Sequence, residues 1–113
     1  LEQSAGPALA EASASGMGVL VKESVANGRL TVRDEESTAP LRAQFPDSNP
    51  DTVAIAAILA QPWADAVISG AGTVDQLRSN LAALDFDGTL GDLAELAEEP
   101  EDYWNTRSRL KWT

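Results

Sequence analysis

Three stretches of the chain hold residue types that could do chemistry without histidine or cysteine, both of which are absent. The first is Ile68-Ser69-Gly70-Ala71-Gly72-Thr73-Val74-Asp75-Gln76. Its glycines let a backbone approach a ligand, and a helix opening at Thr73 offers free amides and the positive end of its dipole, a setting suited to phosphate. The same turn also serves a fold as a tight strand-to-helix junction, and Asp75 in the first helical turn disfavours an anion beside it. The second stretch, Gly18 to Thr31, is an apolar run with a polar exit, where Lys22 and Glu23 read on their own as a solvated strand end. The third, Asp85-Phe86-Asp87-Gly88-Thr89-Leu90, carries two closely spaced carboxylates. Without imidazole or thiolate there is no Ser-His-Asp triad, no His-ligated zinc and no disulfide framework. No catalytic group and no metal-ligand set is assigned within the chain.

The balance of charge narrows the partners. Among 113 residues, 18 acids face 8 bases for a net charge of −10. Nucleic-acid binding needs Lys and Arg against phosphates, so a nucleic-acid partner is not expected. The longest apolar run, Val53 to Ala60, falls far short of the ~20 residues that cross a bilayer, so no membrane partner is expected. No signal-peptide pattern opens the chain, which begins at Leu1-Glu2-Gln3 as if within a longer protein, and the expected location is cytoplasmic.

The elements that must position these stretches follow from periodicity and punctuation. Pro7 at a first turn and Gly16 past the end frame a helix over 7–15. Val19-Leu20-Val21, bounded by glycines, predicts a buried strand over 18–23, and Ala66-Val67-Ile68 a second over 65–69. Each is apolar enough for burial on both faces. Residues 28–49, with Pro40, Pro46 and a charge run, read as a long loop with at most one helical turn. Asn49-Pro50 predicts a capped helix over 50–61, apolar nearly all round and therefore buried. Thr73 and Gln76 form a capping box for a helix over 73–84. The acid-rich end reads as a helical tail over 90–113, with an amphipathic helix at 90–98 and a final stretch anchored by Trp104 and Trp112. Alternating strands and helices imply parallel βαβ units. Two strands cannot close a barrel, so the rest must come from elsewhere in a parent chain or from a second copy.

Two resemblances bear on function. Asp85-Phe86-Asp87-Gly88-Thr89 resembles the D-x-D-G-T motif of haloacid-dehalogenase-type phosphatases, which implies an Asp nucleophile and an Asp general acid at the end of a strand. Here the motif follows helical spacing and too little chain remains for the family's other residues, so this is a remote alternative and the motif reads as a helix-linker-helix junction. By contrast, GVLVKESVANGRLT resembles the seventh-strand segment of the aldo/keto reductases, commonly G-V-I-A-Y-S-P-L-G-R-G-L-L-T. DTVAIAAILAQPWADAVISGAGTVDQLRSNLAAL resembles that family's seventh helix, eighth strand and eighth helix, with A-L-x-W-x-L-x-Q followed by I-P-G-(A/S)-x-T-x-x-Q-L-x-x-N. The tail EPEDYWNTRSRLKW resembles a bacterial branch.

The resemblance implies an α/β fold that is the C-terminal segment of a TIM (β/α)8 barrel, its last two β/α units plus a helical tail, incomplete as a barrel on its own. It implies NADP or NAD as cofactor and an aldehyde or ketone as substrate of the parent. Gly70, Ala71, Gly72, Thr73, Gln76 and Asn80 fall where the family grips the adenosine phosphate and adenine. Lys22, Glu23, Ser24, Val25, Asn27 and Gly28 fall along the nicotinamide-pyrophosphate side. Lys22 departs from the family's stacking aromatic, and Glu23 from a Ser that meets pyrophosphate, where an acid repels phosphate unless it points away or pairs. Gly72 replaces a basic residue that favours a 2′-phosphate, which leaves NADPH against NADH open. The family's catalytic Asp, Tyr, Lys and His lie earlier in the barrel, so the isolated chain is expected to be inactive. A stand-alone, non-catalytic module that self-associates or docks on a partner is the alternative. On either reading Val19, Val21, Val67 and Ile68 need cover, and the isolated chain is expected to dimerise or repack.

Overall fold

The computed structural model of the protein describes residues 2–91 and 93–111. Along them run α1 (Gly6–Ala14), β1 (Leu20–Val21), a 3-10 turn at Ala26–Gly28, α2 (Glu35–Gln44), α3 (Pro50–Leu59) and β2 (Ala66–Val67). Next come α4 (Val74–Leu81), continued by a 3-10 turn at Ala82–Asp85, a 3-10 turn at Leu93–Leu96, and α5 (Pro100–Arg109). The described residues are mostly helical around a two-stranded parallel sheet. Its radius of gyration, 13.8 Å, is close to the ~13 Å of a compact chain of this length. No helix among the described residues is long and apolar enough to cross a membrane.

Each boundary has a local cause. α1 starts with Pro7 in its first turn and ends where Gly16, at φ +83°, takes the left-handed conformation that lets the Gly16 and Met17 amides donate back to Ser13 and Ala12 carbonyls. β1 is tied to the start of β2 by the Asp65 carboxylate, which accepts from the Val19 amide at 2.7 Å. The strands pair in parallel, Leu20 with Ala66 and Val21 with Val67, and the Ile68 amide closes the ladder on the Val21 carbonyl at 2.8 Å. A parallel pair needs a long crossover, which α2 and α3 supply.

The paired segments are shorter than the strands expected over 18–23 and 65–69, and only one sheet face is covered. Val19, Val21 and Val67 point to the helical side, where Val67 packs on Ile55, Ala56 and Ala83. Leu20 and Ile68 point the other way and are 68% and 54% exposed. The expectation of burial on both faces therefore fails: the described chain supplies a helical layer on one side alone.

Three further expectations are corrected. The stretch 28–49 is not an irregular loop, because α2 fills its middle. Asp34 caps that helix by accepting from the Ser37 amide (2.9 Å) and hydroxyl (2.8 Å), Glu35 and Glu36 sit favourably in its first turn, and Thr38 and Leu41 turn inward. These local gains outweigh the backbone bond forfeited at Pro40. Asn49 does not cap α3; its side-chain amide donates to the Ser79 hydroxyl at 3.0 Å, and Thr52 donates to the Ser79 carbonyl at 2.9 Å, so both pin α3 to α4. In the tail, helix at 90–98 reduces to the Leu93–Leu96 turn, broken by Gly91 at φ +58°, and the regular helix begins at Pro100. Trp112, expected as a tail anchor, lies outside the described residues.

α3 is buried from Pro50 through Ala57, the apolar residues from Val53 onward together with the polar Asp51 and Thr52. Its Ile55 and Ala56 form the centre of the core with Ala83, against which Val25, Leu59, Val67, Phe86 and Leu90 pack. Phe86 meets Phe45 edge-on at 6.0 Å. Asp85 ends a helical turn, not a strand, so the D-x-D-G-T stretch is a junction after α4.

Candidate functional site

Parallel pairing brings the exits of both strands to one end of the sheet. At the β2 exit the turn from Ser69 to Gln76 is held by its own side chains. Ser69 Oγ accepts from the Ala71 amide at 3.2 Å and from Asn80 Nδ2 at 2.8 Å, and Asn80 also donates to the Ser69 carbonyl at 3.1 Å. Thr73 Oγ1 accepts from the Gln76 amide at 3.2 Å. Gln76 Oε1 reaches back to the Gly72 amide at 2.8 Å, one residue beyond the Thr73 amide that a capping box would use. Asp75 swings to Arg78 at 3.1 Å. What remains for a ligand is the pair of first-turn amides of Val74 and Asp75, which no helix satisfies internally, and an open approach over glycine. Gly70 needs its residue type for φ +63°; at Gly72 an added Cβ would meet only Gln76 Oε1 at an ordinary 3.6 Å. The chain's own packing therefore does not demand glycine at 72.

The β1 exit is conformationally strained. Glu23, Ala26 and Asn27 all have positive φ, 58°, 49° and 56°, within five residues, and Gly28 follows at φ +90°. Left-handed conformations at non-glycine residues are uncommon and cost of order 1 kcal/mol or more each. Glu23 breaks the extended run and ends β1. Ser24, next along, is 5% exposed, and its Oγ has no hydrogen-bond partner among the described residues. Lys22 is exposed, and Val25 packs against the core rather than facing the exit.

The tail closes on this exit. Arg107 of α5 donates from Nε and Nη2 to the two carboxylate oxygens of Glu23, both at 2.8 Å, a two-pronged pair whose side chains are 13% and 28% exposed. One turn away, Arg29 donates to Glu98 at 3.0 Å and lies over the Tyr103 ring at 5.9 Å. The Arg107 hydrogen bond holds the Glu23 carboxyl below its usual range against the opposing effect of burial. Burial, aided by the Glu23 charge, raises the Tyr103 phenol. Glu23, an acid at a position where the reductase pattern has a phosphate-contacting Ser, is thus paired.

An open groove of about 1410 Å³ runs between the β1 exit, α1 and the tail. Lys22, Glu23 and Ser24 line it, with Leu20, Trp104 and Arg107. Gly70, Ala71, Gly72, Thr73, Gln76 and Asn80 do not; nor do Val25, Asn27 and Gly28. The two candidate segments share an end of the sheet without sharing one cavity. Arg107, Arg29 and Tyr103 were not among the residues singled out from sequence. The available signal was the acid at 23, which needed a base, but a partner 84 positions away is visible only in the fold. No protein-family model matches the chain, and no curated protein does.

Proposed function

We propose that the chain is the C-terminal, cofactor-binding portion of an NAD(P)H-dependent aldo/keto reductase that acts in the cytoplasm on aldehydes or ketones. The observation that carries this reading is the parallel, in-register pairing of β1 and β2 with α4 following β2. It puts both strand exits at one end of the sheet, where ligands of parallel α/β folds bind. The open face bearing Leu20 and Ile68 is the face that further strands of a TIM barrel would enclose. The residues present fit a dinucleotide in part. The glycine approach at 70–72 and the first-turn amides of α4 suit a phosphate, and the orphaned Ser24 hydroxyl at the β1 exit offers a donor. Asn80 and Gln76 serve by fixing the turn, since their side chains are committed to Ser69 and Gly72. When bound, the nicotinamide supplies the hydride; this chain's residues bind and orient it, and no proton donor to a carbonyl is assigned to them.

Calorimetric titration of the folded chain with NADPH and NADH tests the reading. Saturable binding is expected, weakened by Gly72→Glu, whose side chain brings a negative charge to the phosphate approach. Absence of binding by either dinucleotide would overturn the cofactor assignment. The reading frame upstream of Leu1 is expected to encode further strand-helix units bearing Asp, Tyr, Lys and His; a start codon directly before Leu1 would remove the reductase.

A second reading has its own observation. Val74, Leu77, Leu81 and Leu84 form a stripe along α4 and its continuation that is 44–69% exposed, and Leu20 and Ile68 are exposed as well. Such surface favours a non-catalytic module that self-associates through it or docks on a partner barrel.

A further inference from the structure

We propose that the segment 93–109 is a gate on the groove at the β1 exit, held shut by the Glu23–Arg107 and Arg29–Glu98 ion pairs, and that it lifts while the core stays folded, uncovering Ser24. The inference goes beyond the reading above: it concerns access to the groove and does not depend on a dinucleotide binding there.

The segment has little apolar attachment. None of residues 93–111 is buried, and within α5 the half-buried residues are Tyr103 and Arg107. Both take part in polar contacts with the β1 exit: Arg107 forks onto Glu23, and Tyr103 lies against the Arg29 guanidinium, which itself donates to Glu98. The core at Ile55, Ala56 and Ala83 is met from this end by Leu90, before the segment begins. Charge also fixes how the segment lies. The acid at 23 and the base at 29 face a base at 107 and an acid at 98, so an inverted placement would set Glu98 against Glu23 and Arg107 against Arg29. A segment held in this way belongs to the low-stability end of a fold, where opening takes place without global unfolding. Once lifted, α5 does not stay helical, because its 10 residues fall below the ~12–15 at which an isolated helix becomes marginal in water. Ser24 is what the gate covers. It is 5% exposed, its Oγ has no partner among the described residues, and it lines the same groove as Glu98, Tyr103 and Arg107. Such a hydroxyl gains a partner when the groove admits water or a ligand.

The chain lacks cysteine, so Ser24→Cys places a single thiol at the groove wall with little change of volume. Alkylation of that thiol by iodoacetamide in the full chain, run beside amide hydrogen exchange of α5 and α3, reads the gate. The α5 amides are expected to open at least about tenfold more often than those of α3, and the thiol to become reactive with α5. Equal opening of α5 and α3 would mean that the segment leaves only when the whole fold does, and overturns the gate. Alkylation that tracks α3, or that runs as fast as free cysteine, would mean that the segment does not cover position 24, and overturns it too. Added singly, Glu23→Gln and Arg29→Gln are each expected to raise α5 opening and alkylation about tenfold. If either substitution leaves both quantities unchanged, the two pairs do not hold one segment and the latch is overturned. Glu23→Arg is expected to raise both quantities further, and adding Arg107→Glu to reverse most of that rise, since the pair re-forms with its charges exchanged. A swap that reverses nothing overturns the pairing as what holds the segment. Should Ser24→Cys fail to fold, hydrogen exchange of α5 against α3 in the wild-type, Glu23→Gln and Arg29→Gln chains decides the proposal by itself.

Discussion

Glu23 stands where the reductase pattern has a phosphate-contacting Ser, and the fold pairs it with Arg107. Its pairing with Arg107 lowers its carboxyl in the folded state relative to the unfolded chain, so the stabilisation is fully present above the unfolded value, near 4.5, and is lost as pH falls through the lowered folded value. Amide hydrogen exchange in α5 is therefore expected to keep its protection at neutral pH and lose it in that acidic range, and the Glu23→Gln variant is expected to show weaker α5 protection already at neutral pH. Asn80 works differently. Its side chain is nearly buried and spends both donor contacts on Ser69, so Asn80→Ala leaves that hydroxyl and carbonyl short of partners and is expected to cost about 1–3 kcal/mol in denaturant unfolding. Of the candidate residues, the glycine turn was legible from residue type. The roles of Asn80 and Gln76 as braces were not, because a side-chain amide carries no sign in sequence of whether it will meet a ligand or its own backbone.

At the scale of elements, capping decided what apolar periodicity could not. α3 was legible because the unbroken apolar run from Val53 to Ala60 leaves a helix no polar face to turn to water, whereas α2 was hidden by Pro40 and a run of charges. Asp34 and the two glutamates after it were the start signal, and they prevail because a satisfied first turn and a favourable dipole are gained together. Pro40 still forfeits one backbone bond, so Pro40→Ala is expected to stabilise the protein by about 1–3 kcal/mol, read as a higher denaturant midpoint with an unchanged slope. Thr73→Ala removes the α4 cap and is expected to cost about 1 kcal/mol in the same assay.

For the whole molecule the open sheet face and the α4 stripe set the expectation. Sedimentation equilibrium of the chain is expected to show concentration-dependent association, reduced by Leu77→Lys with Leu81→Lys, since both side chains are exposed and their loss leaves the core at Ile55, Ala56 and Ala83 intact. A monomer at all concentrations would count against the self-associating module. The sequence by itself determined the two strands with α1, α3 and α4 around them, the buried character of α3, the glycine turn at 70–72 and the chemistry denied by the lack of histidine and cysteine, because each depends on residue type within a few positions. Only the tertiary structure decided that one sheet face stays open, that the two strand exits adjoin without sharing a groove, and that Arg107 reaches Glu23. Those facts depend on which distant segments meet, and local spacing carries no record of contacts made across 84 residues.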